Sequence, residues 1–520
     1  MVQALETLPD DPAVLKAIIQ AEREDAARIT ASVRAYEALI EALRLQIARL
    51  KRQRFGASSE KIGREIEQLE LALEGLEIAQ SSESSEAAPA GDDAAVEAAP
   101  DGAKTTRPPP RRRGKPKVAE DTPRETITLD PGESCPACGG PLRLINSDIS
   151  EILDFIAAKL KVVETVRPKK SCRCCEKVVQ EPAPTRPVAR GMAGPGLLAH
   201  ILVSKYDDHV PLYRQGEILA RMGADVPRAT MIDWCGRGVA TLRPLIGRIR
   251  AIVMAADRLH GDDTPIRVLD PSVPLSVTAA KGRKRAVKEG RIWAYVRDDR
   301  PWDGPDPPAV AYYFSPDRKG AHPQKHLAVF TGILQADAYA GFRKLYEPGL
   351  DETRRIREAA CWAHLRRDFH DVWQATGSTI AKEALDRIGR LYDIERTING
   401  QPAEVRHAVR QEKSRPIVAA FQAWCTHQLA RIPGKGDLAK AMRYALKRWE
   451  SFTLFLEDGR VAIDNNPAER ALRPVALTRK NALFAGSDAG GETFADAMTI
   501  IETAKLSGLN PEAYLTDILA

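Results

Sequence analysis

Two groups of residues have the types and spacing for metal chemistry. The first is a pair of cysteine knuckles, Cys135 and Cys138 in CPACGG and Cys172 and Cys175 in SCRCCEK. Four thiolates from two Cys-x-x-Cys turns suit a closed, tetrahedral, structural zinc site. Cys174 stands as an alternative to one member of the second pair, and buried free cysteines are the bland alternative to a metal. The second group is carboxylate: Asp262, Asp337 and Glu469. Hard oxygen ligands of this kind hold magnesium or manganese rather than zinc. Two such ions roughly 4 Å apart can help deprotonate a water or a 3'-hydroxyl and stabilise the leaving oxyanion of a phosphodiester. The chain has 71 acidic residues, so residue type alone selects none of them. The order of the surrounding elements does more.

From residue 255 to 345 the pattern becomes strand-like. RLHGDDTPIRVLD, GRIWAYVRDD and AVAYYFSPD read as three strands, KHLAVFTG as a short helix and GILQADAYAGF as a fourth strand. Three strands, a helix and a further strand form the core of an α/β ribonuclease-H-like fold, in which acids on the first and fourth strands come side by side. Asp262 lies on the first of these strands and Asp337 at the end of the fourth. Asp263 is the rival to Asp262, although strand alternation turns it to the opposite face.

A third acid should come from a later helix, and VAIDNNPAERALRPVALTRKN supplies one. There Asn466 is the expected cap, Pro467 fits the first turn and Glu469 follows inside it; Asp464 is a rival carboxylate. Arg470, Arg473, Arg479 and Lys480 follow closely and are candidate phosphate contacts, with ordinary salt bridging as the alternative. About 130 residues separate Asp337 from Glu469, far more than a connection needs, so a helical insertion is expected over about 350–460. CWAHLRRDF lies near its start and carries Trp362, His364, Arg366 and Arg367. The arginines and His364 are candidate DNA contacts, and for His364 a packed ring is the competing reading.

The remaining elements would deliver a substrate to these acids. Residues 14–79 carry apolar seams at helical spacing, Tyr36, Ile40, Leu43, Ile47 and Leu50, then Ile62, Ile66, Leu69, Leu73 and Leu76. They predict either an oligomerising coiled coil or a helical hairpin packed on its own protein. Residues 80–122 read as a disordered linker whose basic end, from Arg107 to Lys117, could track a phosphate backbone. A zinc-binding domain is expected over 123–188. Residues 195–250 read as a helix-turn-helix-like DNA-binding region, with a turn at Gly223 and Arg228 and Thr230 leading its second helix. The catalytic domain is expected over 251–480 and a helical region over 481–520.

Composition sets outer bounds. In 520 residues, 43% are hydrophobic and 28% charged, the balance of a multidomain soluble protein. Neither a basic leader with an apolar core nor a long apolar run is present, so a cytoplasmic, nucleoid-associated protein without membrane contact is expected. Eight cysteines in so long a chain are no disulfide framework. The net charge of +6 favours no partner class by itself.

Together RQRFGASSEK, the two knuckles, DHVPLYRQ, HGDDTPIRVLD, LQADAYAGF, CWAHLRRDF, DNNPAERALRP and FAGSDAGGETFA resemble the large transposase of the bacterial insertion sequence 66 family, in family order from about residue 30 to 520. Asp263, Leu365 and Asp368 are small departures from the family's motifs. The resemblance implies a DDE transposase that uses Asp262, Asp337 and Glu469, with zinc held by Cys135, Cys138, Cys172 and Cys175. It also implies double-stranded DNA as partner, at both element ends and target, and small companion proteins encoded by the element. A non-catalytic zinc and helix-turn-helix regulator, or a hydrolytic nuclease of the same fold, are the alternatives.

Overall fold

The computed structural model describes residues 124–156, 159–189, 191–269, 287–337, 339–348, 355–481 and 485–520, together with 16, 20, 23, 40, 41, 117, 118 and 122. Apart from residues 16, 20, 23, 40 and 41, the coiled-coil expectation for 14–79 lies outside these residues, as does nearly all of the linker. One part of the linker differs from expectation: strand β1 (Lys117–Val118) pairs antiparallel with β6 (Ala224–Asp225), which tethers the basic segment's end to the turn between two helices.

The zinc module is a long antiparallel hairpin of β3 (Leu142–Ile156) and β4 (Lys159–Cys172), flanked by β2 (Arg124–Thr128) and the short β5 (Val178–Val179). Leu142 pairs with Cys172, so the knuckle that precedes β3 and the one that ends β4 meet at one end of the hairpin. At the other end, the Asp154 carboxylate accepts the Leu197 N–H at 3.0 Å and joins the module to helix α1 (Pro195–Tyr206).

Helix α2 (Leu212–Arg221) and the 27-residue α3 (Arg228–Met254) are separated by a turn in which Gly223 has φ +92°, a conformation glycine adopts without strain. The helix-turn-helix order is therefore present. The leading turn of α3 is nevertheless packed inward: Thr230, Met231, Ile232, Asp233 and Trp234 are buried.

The central sheet has five strands, β7 (Arg258–Leu269), β8 (Val287–Arg297), β9 (Ala309–Ser315), β10 (Gly332–Ala336) and β11 (Ile356–Ala359), in the order β11-β10-β7-β8-β9. The first three are antiparallel neighbours, while β10 and β11 run parallel to β7. Ile292, Trp293, Ala294, Tyr295 and Val296 on β8 are all buried, the signature of a strand covered on both faces. The short helix α4 (Ala321–His326) precedes most of the KHLAVFTG segment expected to be helical. The chain beyond His326 leaves the helix to bury Leu327 and Phe330.

The insertion is built from α5 (Trp362–Thr376), α6 (Thr379–Thr397), α7 (Ala403–Val409), α8 (Arg415–Leu429), α9 (Asp437–Lys447) and α10 (Trp449–Glu457). It has its own core around Trp362, Phe369, Phe421 and Phe452. Then α11 (Asn466–Asn481), α12 (Asp488–Leu506) and α13 (Pro511–Leu519) return to the main core. Helix α12 covers the open edge of β9: the Thr499 and Thr503 hydroxyls accept the Tyr312 and Val310 N–H groups at 3.0 and 3.2 Å. An unpaired strand edge is thus closed by side chains one helical turn apart. Gly491 permits this approach, because a Cβ there would collide with the Phe314 ring.

Candidate active site

Asp262 and Asp337 are brought together by register. Parallel pairing sets Ala336 against Gly261, so the next residue of each strand path is an aspartate on the same side of the sheet. Asp337 follows β10 directly, and its Oδ1 accepts the Tyr339 N–H at 3.1 Å. Glu469 comes from the first turn of α11. Burial first, then the negative charges of Asp337, Asp263 and Glu469, push the Asp262 carboxyl up to about 7, against the Asp263 N–H that donates to its Oδ1 at 2.8 Å.

Asp263 has a different environment. Its side chain is 1% exposed and clamped by Arg318, whose Nη2 lies 2.8 Å from Oδ1, and by Arg291 at 3.2 Å. Arg318 also stands 3.8 Å from Asp337 and lies over the Tyr339 ring. Asp263 is thus neutralised within the fold, whereas Asp262 shares its side of the strand with the other acids.

Asn465 holds Glu469 in place. This fully buried residue donates from Nδ2 to the Gly261 carbonyl at 2.9 Å, has Oδ1 3.1 Å from His260 Nδ1, and donates its backbone N–H to Cys361 Sγ at 3.2 Å. Burial lowers His260 to about 4, so its neutral ring partners the amide. The start of α11 is therefore stapled to β7 beside Asp262. Asn466 is not the cap expected of it: helix α11 begins there, and Asp464 accepts its backbone and side-chain N–H groups at 3.1 and 2.7 Å. Asp464 is thereby occupied as a brace.

Around Glu469, His364 Nε2 lies 3.7 Å from Oε1 and Arg367 Nη2 lies 3.6 Å from Oε2. Glu469 Oε1 and His364 Nδ1 are buried without a hydrogen-bond partner. A carboxylate oxygen in that condition calls for a cation or a donor.

In the zinc module, the four expected sulfurs form one cluster, with Cys135 to Cys175 at 3.7 Å, Cys138 to Cys172 at 3.4 Å and Cys138 to Cys175 at 3.5 Å. Tetrahedral zinc with Zn–S bonds of about 2.3 Å has edges of about 3.8 Å. Backbone N–H groups of Cys175 and Cys174 pull the Cys172 thiol down to about 6, toward the thiolate that zinc binds. Cys174 is outside the cluster; its thiol lies against Gly140.

A family model described as transposase IS66 family matches residues 190–493. The chain belongs to this family. A model for the zinc-finger binding domain of transposase IS66 matches residues 133–176, and one described as transposase C of IS166 homeodomain matches 42–127. Among relatives of this IS66-family transposase are two uncharacterized proteins of Sinorhizobium fredii. One, y4hP, is 42% identical over 92% of this chain and 86% of its own length. The other, y4qI, is 36% identical over all of this chain and 95% of its own length. No described helix is long and apolar enough to cross a membrane.

The candidate DNA contacts of this IS66-family chain divide by exposure. Arg366, Arg367, Arg470 and Arg473 are exposed. Arg366 and Arg367, with His370, Tyr392, Arg396 and Asn466, line a cleft of about 580 Å³, which Arg367 links to Glu469 through its 3.6 Å ion pair. Arg479 is turned inward, donating to the Pro265 carbonyl at 2.9 Å, so it braces β7. Lys480 lies on α11 with its side chain outside the described residues. Arg228 is half-buried and Thr230 buried at the start of α3, so Thr230 is not presented to a DNA groove. Sequence reasoning missed Asn465, Arg318 and Cys361. The repeated Asn of DNNP was the one visible signal for the first.

Proposed function

We propose that this protein is a DDE transposase with a ribonuclease-H-like core, in which Asp262, Asp337 and Glu469 hold divalent magnesium or manganese and carry out cleavage and joining of DNA. The observation that carries this reading is the convergence of three carboxylates from the first strand, the fourth strand and a much later helix. The order β11-β10-β7-β8-β9, with β7, β8 and β9 in antiparallel pairs and β10 and β11 added by parallel pairing, supports the fold.

Asp262, whose carboxyl is held near neutrality among like charges, is suited to share a cation with its neighbours and to lose its proton when the ion arrives. Asp337, a quarter exposed, opens the site to the solvent side from which a nucleic-acid strand would enter. Bound metal would supply Lewis acidity to activate the attacking oxygen and stabilise the leaving one. Arg366 and Arg367 would hold flanking phosphates in the adjoining cleft. The freed 3'-hydroxyl of the element end would then attack a target phosphodiester, exchanging one such bond for another without an external energy source. The zinc module would bind the terminal repeats. Residues 14–79 would join copies of the chain, and element-encoded companions would assist.

The deciding experiment is Glu469→Gln, assayed with magnesium on DNA carrying the element's ends. Cleavage and joining should fall by about three orders of magnitude, the cost of losing one ligand from a metal-stabilised transition state worth several kcal/mol. DNA binding should persist. Full activity would overturn the assignment, and cut but never joined products in the parent would point to a hydrolytic nuclease.

A further inference from the structure

Helix α5 opens with Cys361 at its cap position and His364 three residues on, which sets both side chains toward the first turn of α11. Cys361 Sγ, a ring nitrogen of His364 and a carboxylate oxygen of Glu469 all lie within 4.8 Å of one another. We propose that Cys361, His364 and Glu469 form a second zinc site, distinct from the cysteine cluster, and that zinc bound there withdraws Glu469 from Asp262 and Asp337 and holds the enzyme inactive. The inhibitory part rests on the proposed catalytic role of Glu469; the site itself does not.

Three observations carry it. First, thiolate, imidazole and carboxylate make a mixed donor set that suits zinc, whereas magnesium has no use for sulfur. Second, this corner has atoms in need of a partner, since Glu469 Oε1 and His364 Nδ1 are buried without one. Third, the thiol is already oriented: the Asn465 backbone N–H donates to Cys361 Sγ at 3.2 Å, the kind of outer contact that fixes a metal ligand. Three protein ligands leave a fourth position for water or a phosphate oxygen.

Occupancy would change what Glu469 can do. Zinc would engage Oε1, and Arg367 already faces Oε2 at 3.6 Å, so neither oxygen would be left for an ion shared with the aspartates. Zinc would thus compete with magnesium through a ligand set of its own that includes no residue of the aspartate pair.

The test titrates zinc sulfate into the full-length protein with its cysteine cluster already loaded, counting bound zinc per chain after gel filtration and measuring magnesium-dependent cleavage in parallel. The parent should take up a second zinc ion and lose cleavage as it does so. Cys361→Ser should take up no second ion, and the magnesium-dependent cleavage it shows, whatever its level without zinc, should be at least about tenfold less sensitive to zinc than the parent's. Equal zinc content and sensitivity in parent and variant would overturn the proposal. Should Cys361→Ser fail to fold, His364→Asn provides the same count, and retention of the second ion there would overturn it equally. A parent that binds a second ion but never cleaves DNA refutes the proposed function and leaves this site standing. A parent that cleaves but binds one ion refutes the site alone.

Discussion

If Asp262 is buried beside other carboxylates for a metal, the metal-free fold must carry the cost of ionising it there, from burial first and from neighbouring charge second, and Asp262→Asn should remove it. The Asp262 carboxyl rises from 3.8 to about 7 on folding, mainly through burial. Because the folded-state value is raised, the folded chain binds more protons than the unfolded chain between about pH 4 and pH 7. Stability therefore falls as pH rises through that window, and the whole cost is present above it. A difference of about three units corresponds to about 4 kcal/mol. Asparagine has the same shape and keeps an oxygen for the Asp263 N–H, so the substitution should relieve this strain without opening a cavity. The measurement is thermal unfolding of parent and variant without magnesium, structural zinc retained, from pH 4.5 to 8.5. The two should melt alike at the acid end and diverge with rising pH until the variant is several degrees more stable at pH 8, although it cannot cleave DNA. Magnesium should raise the parent's midpoint at pH 8 and leave the variant nearly unmoved. A variant that at pH 8 melts at or below the parent would refute the account, because the ionised Asp262 carboxylate would then carry no penalty from burial or from its neighbours.

Two further outcomes follow from other parts of the structure. Asn465→Leu should cost about 2–3 kcal/mol by stranding the buried partners of its side chain, and should depress magnesium-dependent cleavage far more than DNA binding; unchanged cleavage in a folded variant would count against the staple. Cys138→Ser should lose the structural zinc by metal analysis, whereas Cys174→Ser should retain it; the opposite pattern would move the ligand from Cys175 or its neighbours to Cys174.

What could be read from the sequence was whatever local pattern records. Two Cys-x-x-Cys turns fold into nearly the same geometry wherever they occur, so Cys135, Cys138, Cys172 and Cys175 were legible, and their cluster excludes Cys174. The strand sequence around Asp262 and Asp337 was legible through its alternation and turns. The orientation of α3 was not: Thr230 occupies a position that would face DNA if the helix were exposed, and only the packing of Trp234 and its neighbours against the core reveals that it is buried. The double arginine clamp on Asp263 was equally hidden, since Arg291 and Arg318 come from β8 and the loop after β9.

The least legible feature, the partnership of Glu469 with acids about 130 residues earlier, has a physical explanation in the neck of the insertion. The chain enters the helical insertion at Cys361 and Trp362 and leaves it at Ile463 to Asn465. These points are stitched together by the Trp362 N–H to the Ile463 carbonyl at 3.1 Å and the Asn465 N–H to Cys361 Sγ at 3.2 Å. Trp362 is anchored a second time by its indole N–H, which donates to the Phe452 carbonyl at 2.9 Å. With the neck closed, the length and content of the insertion drop out of the problem of placing Glu469. Asn465 then sets the distance from β7 to the start of α11, and Arg479 ties the far end of the helix to the same strand. The spacing between the second and third acids therefore carries no geometric information, and the motif at the neck carries nearly all of it.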